Sequence, residues 1–353
     1  MKIQKILSIL IINFLVLSFL IIIIELSFGH WLKDNYFSHH MRGKRLQKIE
    51  FNFERENFSK KVIFRRDYYG FREDYEFDNK YDLSEIKILF NGGSTGEEMY
   101  KPYDKTIVGN LNGLLKKQNF KYKIYNASLA GKSSRGKIND FYFWFNKLEN
   151  FKPEVMILYI GINDRKIPKK RFHDNNAKLN LKQKFINHSS QNSFFWEKAK
   201  KIKDIYFTKK VSGYHLLDNE SFKKIQKGFV GYNEAKNIFI EANFEEKNII
   251  KNYKKNLSEL KKIFYEKKIV PIFITQINFE GNGDKILHFL NEALKEFCEK
   301  NNYYIIKLDE KITAPINHLF YDEIHVNNLG SLYISQLIYP ELKNILDKSK
   351  LEK

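Results

Sequence analysis

The chain has 353 residues and a formal charge of +19, from 61 Lys and Arg against 42 Asp and Glu. Hydrophobic residues make up 43% and aromatics 16%, enough apolar mass for a full core, which excludes a disordered chain. A single cysteine, Cys298, excludes a disulfide framework within the monomer and a Cys-rich zinc module. The length fits one large domain or two small ones.

A balance this basic points first to nucleic acid or an anionic surface. The excess is mostly lysine, in a chain also heavy in Ile, Asn, Phe and Tyr and carrying only six prolines. Residues 166–268, with 25 basic and 11 acidic side chains, hold +14 of the +19. No RNA-binding aromatic motif, zinc finger or helix-turn-helix pattern accompanies them, so the reading is a solvated Lys-rich insertion at about 166–247 and no nucleic-acid partner.

At the N-terminus, Ile6 to Ile24 is free of charge and interrupted only by Ser8, Asn13 and Ser18. As a helix it spans about 28 Å, one hydrocarbon core. Lys2 and Lys5 precede it, Glu25 closes it, and Trp31 and Tyr36 stand where interfacial aromatics belong. The run ends without the small-residue cleavage site of a signal peptide. Residues 1–31 are therefore expected to be an uncleaved single-pass membrane anchor. Lys33, Arg42, Lys44, Arg45 and Lys48 follow it, but long domains translocate largely regardless of charge, and the body is expected outside the cytoplasm.

Residues 32–84 are charged and aromatic with weak periodicity, and are expected to connect the anchor to the main domain and pack on it. They include a turn at Asp67-Tyr-Tyr-Gly-Phe-Arg72. From 85 to 348 the pattern becomes regular. Ile86 to Asn91 predicts a buried strand, Thr106 to Lys117 a helix with Ile107, Leu111, Leu114 and Leu115 on one face, and Tyr122 to Asn126 a second strand. A helix over Ile138 to Leu148 and a strand over Val155 to Ile160 follow. Beyond the insertion come a helix at Ile249 to Tyr265, a strand at Ile269 to Thr275, a helix at Ile286 to Lys300 and a strand at Tyr303 to Leu308. A last helix over Asn328 to Leu346 carries Pro340 as a point of breakage. Tyr253, Leu257, Leu260 and Phe264 form a stripe read as core. Near-continuous apolar strands alternating with helices mean an α/β domain, with parallel pairing and helices on both faces.

In such a sheet, ligands bind beyond the carboxyl ends of the strands. Those ends carry Gly92-Gly93-Ser94, then Asn126 to Gly131, then Gly161-Ile-Asn163-Asp164, while Asp322-Glu-Ile-His325 precedes the last helix. A serine is a poor nucleophile at neutral pH unless a base takes its proton; His325 is that base for Ser94. Asp322 orients the imidazole. The backbone N–H groups of Ser94 and Gly131 and the amide of Asn163 are the oxyanion donors. Glycine at 131 allows close backbone approach. Asp164 and Asn126 are assigned structural roles, and Arg72 is read as a surface arginine in a turn, with an anionic substrate as the alternative.

On these four blocks, GGST at Gly92 to Thr95, Asn-Ala-Ser-Leu-Ala-Gly131, GxND at Gly161 to Asp164 and DxxH at Asp322 to His325, the chain resembles the SGNH/GDSL hydrolases over about residues 65 to 345. The resemblance implies a flavodoxin-like three-layer parallel sheet, an ester-cleaving serine and no cofactor. The family's usual Gly-Asp-Ser is Gly-Gly-Ser here, which is similar to a membrane-anchored branch with an upstream GFR segment, matched by Gly70-Phe71-Arg72.

Gly92 to Gly96 also fits the G-x-S-x-G elbow of α/β-hydrolases, but here it follows the first strand of the domain rather than a later one. It lacks the Lys-Ser/Thr ending of a P-loop and the G-x-G-x-x-G spacing of a dinucleotide loop. No second His/carboxylate pair with zinc spacing accompanies Asp322 and His325, so no metal is expected. The resulting expectation is a membrane-anchored serine esterase acting on acyl esters, O-acetyl groups of envelope polysaccharide above all. A glycan O-acyltransferase using the same site, and a catalytically silent glycan-binding or scaffold protein, are the alternatives.

Overall fold

A computed structural model describes residues 2–32, 47–53, 59–73, 82–166, 181–196, 198–199, 202, 209–212 and 228–349. The chain opens with helix α1 (Lys2–Phe28). Among the described residues one helix, Gln4–Phe28, is long and apolar enough to cross a membrane, and its large apolar side chains are exposed. Strands β1 (Gln47–Asn52) and β2 (Lys61–Arg66) then pair antiparallel. The weak periodicity of this stretch has a physical cause: the inward positions of β2 are Val62, Phe64 and Arg66, and a buried arginine breaks the apolar alternation that marks a strand.

The main sheet contains β3 (Ile88–Gly92), β4 (Ile124–Asn126), β5 (Val155–Tyr159), β7 (Val270–Ile274) and β8 (Tyr304–Ile306). All neighbours are parallel, in the order β4-β3-β5-β7-β8. Every residue of β3 and β5 is buried, as expected of strands covered on both faces. On one face Leu89, Met156, Leu158 and Phe273 meet a helical layer. It is built from α4 (Ser134–Phe143), α7 (Phe244–Lys267) and α8 (Lys285–Asn301). On the other, Ile88, Phe90, Ile157, Ile272 and Ile274 meet α3 (Ile107–Lys117), the short α9 (Leu308–Lys311) and α10 (Asn328–Lys348). The fold is a three-layer α/β/α sandwich of flavodoxin-like strand order. Tyr253, Leu257, Leu260 and Phe264 are buried in its core.

Capping sets the helix starts. Thr106 Oγ1 accepts from Gly109 N at the head of α3, Asn243 and Glu246 form a capping box on α7, and Asn327 caps α10. The predicted helix over 138–148 begins one turn earlier, because the Asp164 carboxylate accepts from Ser134 N and Oγ. It ends at Trp144, whose buried indole donates to Tyr69 O (2.8 Å). The predicted break at Pro340 does not occur. The proline forfeits one backbone bond, while Ile334 and Ile338 before it and Leu342, Ile345 and Leu346 after it are buried on one continuous face.

Within the insertion, α5 (Leu181–Asn192), β6 (Lys209–Ser212) and α6 (Tyr232–Ile238) are described. Strand β6 adds to β1 in parallel, making a second, three-stranded sheet. Lys33, Tyr36, Arg42, Lys44 and Arg45, named above as flanking the anchor, lie outside the described residues.

Candidate active site

Strand β3 ends in Gly92, and Ser94 is the first residue of α2 (Ser94–Glu97), a single short turn with Gly93 as its N-cap. This sharp strand-to-helix exit presents a half-buried Ser94 at the carboxyl edge of the sheet. The turn is fixed from below. Gly92 N donates to Ser128 Oγ (2.8 Å), and Gly92 O accepts from the fully buried Lys137 ammonium. Lys137 also donates to Asn91 Oδ1 (2.7 Å), and Asn91 in turn donates to Asp140. A second buried lysine, Lys132, pairs with Asp140 at 3.2 Å.

The loop after β4 supplies Gly131, with φ of +76°. That left-handed conformation is one that glycine adopts without strain. The loop after β5 supplies Asn163, whose amide donates to Lys132 O at 3.0 Å, next to Gly131. Asn163 also presses on the nucleophile turn: a Cβ added at Gly93 would collide with Asn163 Nδ2. The aspartate of the usual Gly-Asp-Ser block has no space at position 93 while Asn163 stays in place. Asp164 points away and caps α4, and Asn126 donates to Gly96 O (2.9 Å) and accepts from Ser128 N. Both hold the loops.

His325 and Asp322 sit in the loop before α10, each about one-fifth exposed, with Nδ1 to Oδ2 at 2.7 Å. The other carboxylate oxygen accepts from the backbone N–H of His325 (2.7 Å) and of Ile324 (2.9 Å). One aspartate therefore sets both the loop and the ring. Tyr321 stacks flat on the imidazole, with centroids 5.6 Å apart and planes within 8°. Tyr100, just beyond α2, meets Tyr321 edge-on at 6.2 Å. This aromatic chain and the bond from Ser331 of α10 to Glu98 (2.5 Å) join the histidine loop to the serine turn. Burial, with Asp322 next, pushes the Tyr321 phenol well above its ordinary range, so it stays neutral.

Two arginines from the GFR region lie behind Ser94, and neither is a surface group. Arg66 pairs with Glu97 at 2.5 Å and donates to Ser128 O and Gly70 O. Arg72, 1% exposed, donates to the carbonyls of Glu97, Glu98 and Lys101. Burial lowers its guanidinium to about 10, still charged at neutral pH. Gly70, at φ +91°, makes the tight return between them.

One buried organiser escapes the sequence reading. Gln276, two residues beyond β7, donates to Thr95 Oγ1 (2.9 Å) and accepts from Ile162 N (2.7 Å), bridging the serine turn and the asparagine loop. Its position beyond a strand's carboxyl end was the available signal. Among the described residues no cluster of His, Cys, Asp and Glu is suited to hold a metal ion.

No protein-family model matches the chain, and no curated relative does. Solved structures with similarity include an acetyl xylan esterase, 13% identical with a TM-score of 0.42 over 72% of this chain and 98% of the other. The psychrotrophic esterase EstA from Pseudoalteromonas sp. is 14% identical, with a TM-score of 0.43 over 74% and 98%. A GDSL-like lipase from Bacteroides thetaiotaomicron is 11% identical, with a TM-score of 0.39 over 77% and 92%.

Proposed function

We propose that the protein is a serine esterase of SGNH type, held at a membrane by α1, with its domain outside the cytoplasm and acyl esters as substrates. The observation that carries this reading is the Asp322–His325 pair at 2.7 Å, on the same sheet edge as a serine that opens a helix. In this reading Ser94 Oγ attacks the ester carbonyl and its proton passes to His325 Nε2. Asp322 holds the other ring nitrogen and steadies the imidazolium. The oxyanion is received by the N–H groups of Ser94 and Gly131 and by Asn163 Nδ2. The bond to the alcohol then breaks, and the departing oxygen takes the proton from His325 Nε2. The acyl-serine that remains is hydrolysed by a water whose proton passes to His325, returning Ser94 and a carboxylic acid. Membrane attachment in an envelope brings the site to acylated glycans, and O-acetyl groups on polysaccharide are the proposed substrate.

The test is p-nitrophenyl acetate turnover by the native chain beside Ser94→Ala. Turnover abolished by the substitution supports the assignment and justifies assays on acetylated polysaccharides. Equal rates in both proteins would remove Ser94 from the mechanism. An acyl-serine that forms but is not hydrolysed, and is discharged by added glycan, would make the enzyme an acyltransferase.

A further inference from the structure

The catalytic reading leaves the insertion unused, yet its described part is built onto the base of α1. Glu25, at the end of the apolar run, accepts from Ser193 Oγ (2.6 Å), Phe194 N (2.9 Å) and Trp31 Nε1 (2.7 Å). His30 N donates to Asn192 O at 2.7 Å, and the His30 ring meets Tyr68 OH at 3.1 Å. Phe28 packs on Phe194 with centroids 5.6 Å apart. Residues 181–196 therefore sit where α1 meets the folded body.

Among its described residues this segment exposes large apolar side chains. Leu181 is 85% exposed and Phe185 70%. They share one helix face with His188, spaced four and then three residues apart, and His188 lies against Trp31 at 5.6 Å. Beyond the helix, Phe195 and Trp196 are also exposed. Single exposed apolar residues need no explanation, but these four lie on the one segment that is bonded to the end of α1, where Phe195 N also donates to Glu25 (3.2 Å). Lys182 and Lys198 are exposed beside them, and Lys198 lies over the Phe194 ring at 5.3 Å. Large apolar and aromatic side chains with flanking lysines are the composition of a helix lying in a membrane interface, and lysines there favour an anionic leaflet.

We propose that residues 181–196 form a collar that lies in the interface of an anionic lipid membrane and fixes the orientation of the folded domain on it. The proposal rests on the reading that α1 spans the membrane. The occupant is lipid rather than protein because the segment that carries these side chains is bonded directly to the exit point of α1, through Glu25 and His30.

The full chain is reconstituted in phosphatidylethanolamine and phosphatidylglycerol vesicles, with a nitroxide on Phe185→Cys or Trp196→Cys. Cys298 is fully buried, so the new thiol is the one labelled. A nitroxide on Tyr142→Cys, at an exposed position of α4, is the reference. Collisions with oxygen are expected to exceed those with a water-soluble nickel complex at 185 and 196, and the order to reverse at 142. Replacing phosphatidylglycerol by phosphatidylcholine should lower the oxygen preference. Alkaline extraction of the same vesicles tests the anchor separately. Chain that resists extraction but favours nickel at 185 and 196 overturns the collar and leaves the anchor standing. Chain that is extracted overturns both. Labels shielded from both reagents would assign the face to a second copy and overturn the lipid proposal.

Discussion

Gly93→Ala is the substitution that most directly tests how the site is assembled. Gly93 has φ of −87°, so backbone strain is not what demands glycine. The demand comes from Asn163 Nδ2, with which an added Cβ collides, while the next neighbour, Lys132 O at 3.4 Å, would be in ordinary contact. The amide must retreat by about 1 Å, and a misplacement of that size costs on the order of 10²-fold in rate. Losing an oxyanion donor outright costs about 10²–10³-fold, or roughly 3–4 kcal/mol. Gly93→Ala should therefore lower kcat on p-nitrophenyl acetate by about 10²-fold, with KM and the circular dichroism spectrum little changed. Asn163→Ala should lower it as much or more. The combination separates this account from generic damage. If the new methyl acts only through Asn163, the double variant should match Asn163→Ala, because the obstacle no longer meets an amide. Losses that multiply in the double variant, or a Gly93→Ala enzyme with native kcat, would refute the reasoning.

Two further outcomes are expected. Asp322→Asn keeps the loop's shape but offers Nδ1 an amide in place of a carboxylate; kcat should fall by about 10⁴-fold without a change in thermal midpoint, and a loss under tenfold would remove Asp322 from the mechanism. Cys298 is buried, which pushes its thiol up to about 12, so it should ignore a thiol reagent at pH 8 until the protein is unfolded. Because the folded value lies above the unfolded one of about 8.5, the thiol's contribution to stability is complete below that pH. It is lost as pH rises toward 12, with a slope of about 1.4 kcal/mol per pH unit. Denaturant midpoints of native chain and Cys298→Ala at pH 8 and pH 10 check the sign: the native chain should lose more.

What could be read from sequence follows from what leaves a local pattern. The five main strands were legible because each carries apolar residues buried by the sheet, nearly continuously in β3, β5 and β7 and less so in the edge strands β4 and β8, and the polar blocks stood out because they interrupt those runs at their carboxyl ends. Arg66 and Arg72 were not legible as interior groups. An arginine in a turn is usually exposed, and only the fold reveals that Glu97 and three carbonyls lie within reach. Gln276 was hidden for the opposite reason: a lone polar residue after a strand gives no spacing to recognise. The β2-β1-β6 sheet was missed because it joins a segment before the main domain to a strand within its insertion, and pairing across that distance leaves no trace in a sliding window.

The buried arginines also bear on where the folded unit begins. Strand pattern alone would start the domain near residue 85, and a chain cut there keeps all five parallel strands. It loses Arg66, the partner of a Glu97 carboxylate that is 1% exposed, and Arg72, the donor to three carbonyls around α2. Removing one partner of a buried ion pair costs about 3–5 kcal/mol, and unsatisfied buried carbonyls cost about 1–3 kcal/mol each. Against a typical total of about 5–15 kcal/mol, the serine turn should not survive the cut. A chain from residue 32 is expected to be soluble and active, and one from residue 85 to be unfolded or inactive. Arg72→Ala in the longer chain should lower the thermal midpoint sharply, and Arg72→Lys should not restore it, because an ammonium cannot present the planar fork that reaches all three carbonyls. A chain from 85 with native turnover and native thermal midpoint would show that the arginines merely decorate a turn that holds itself.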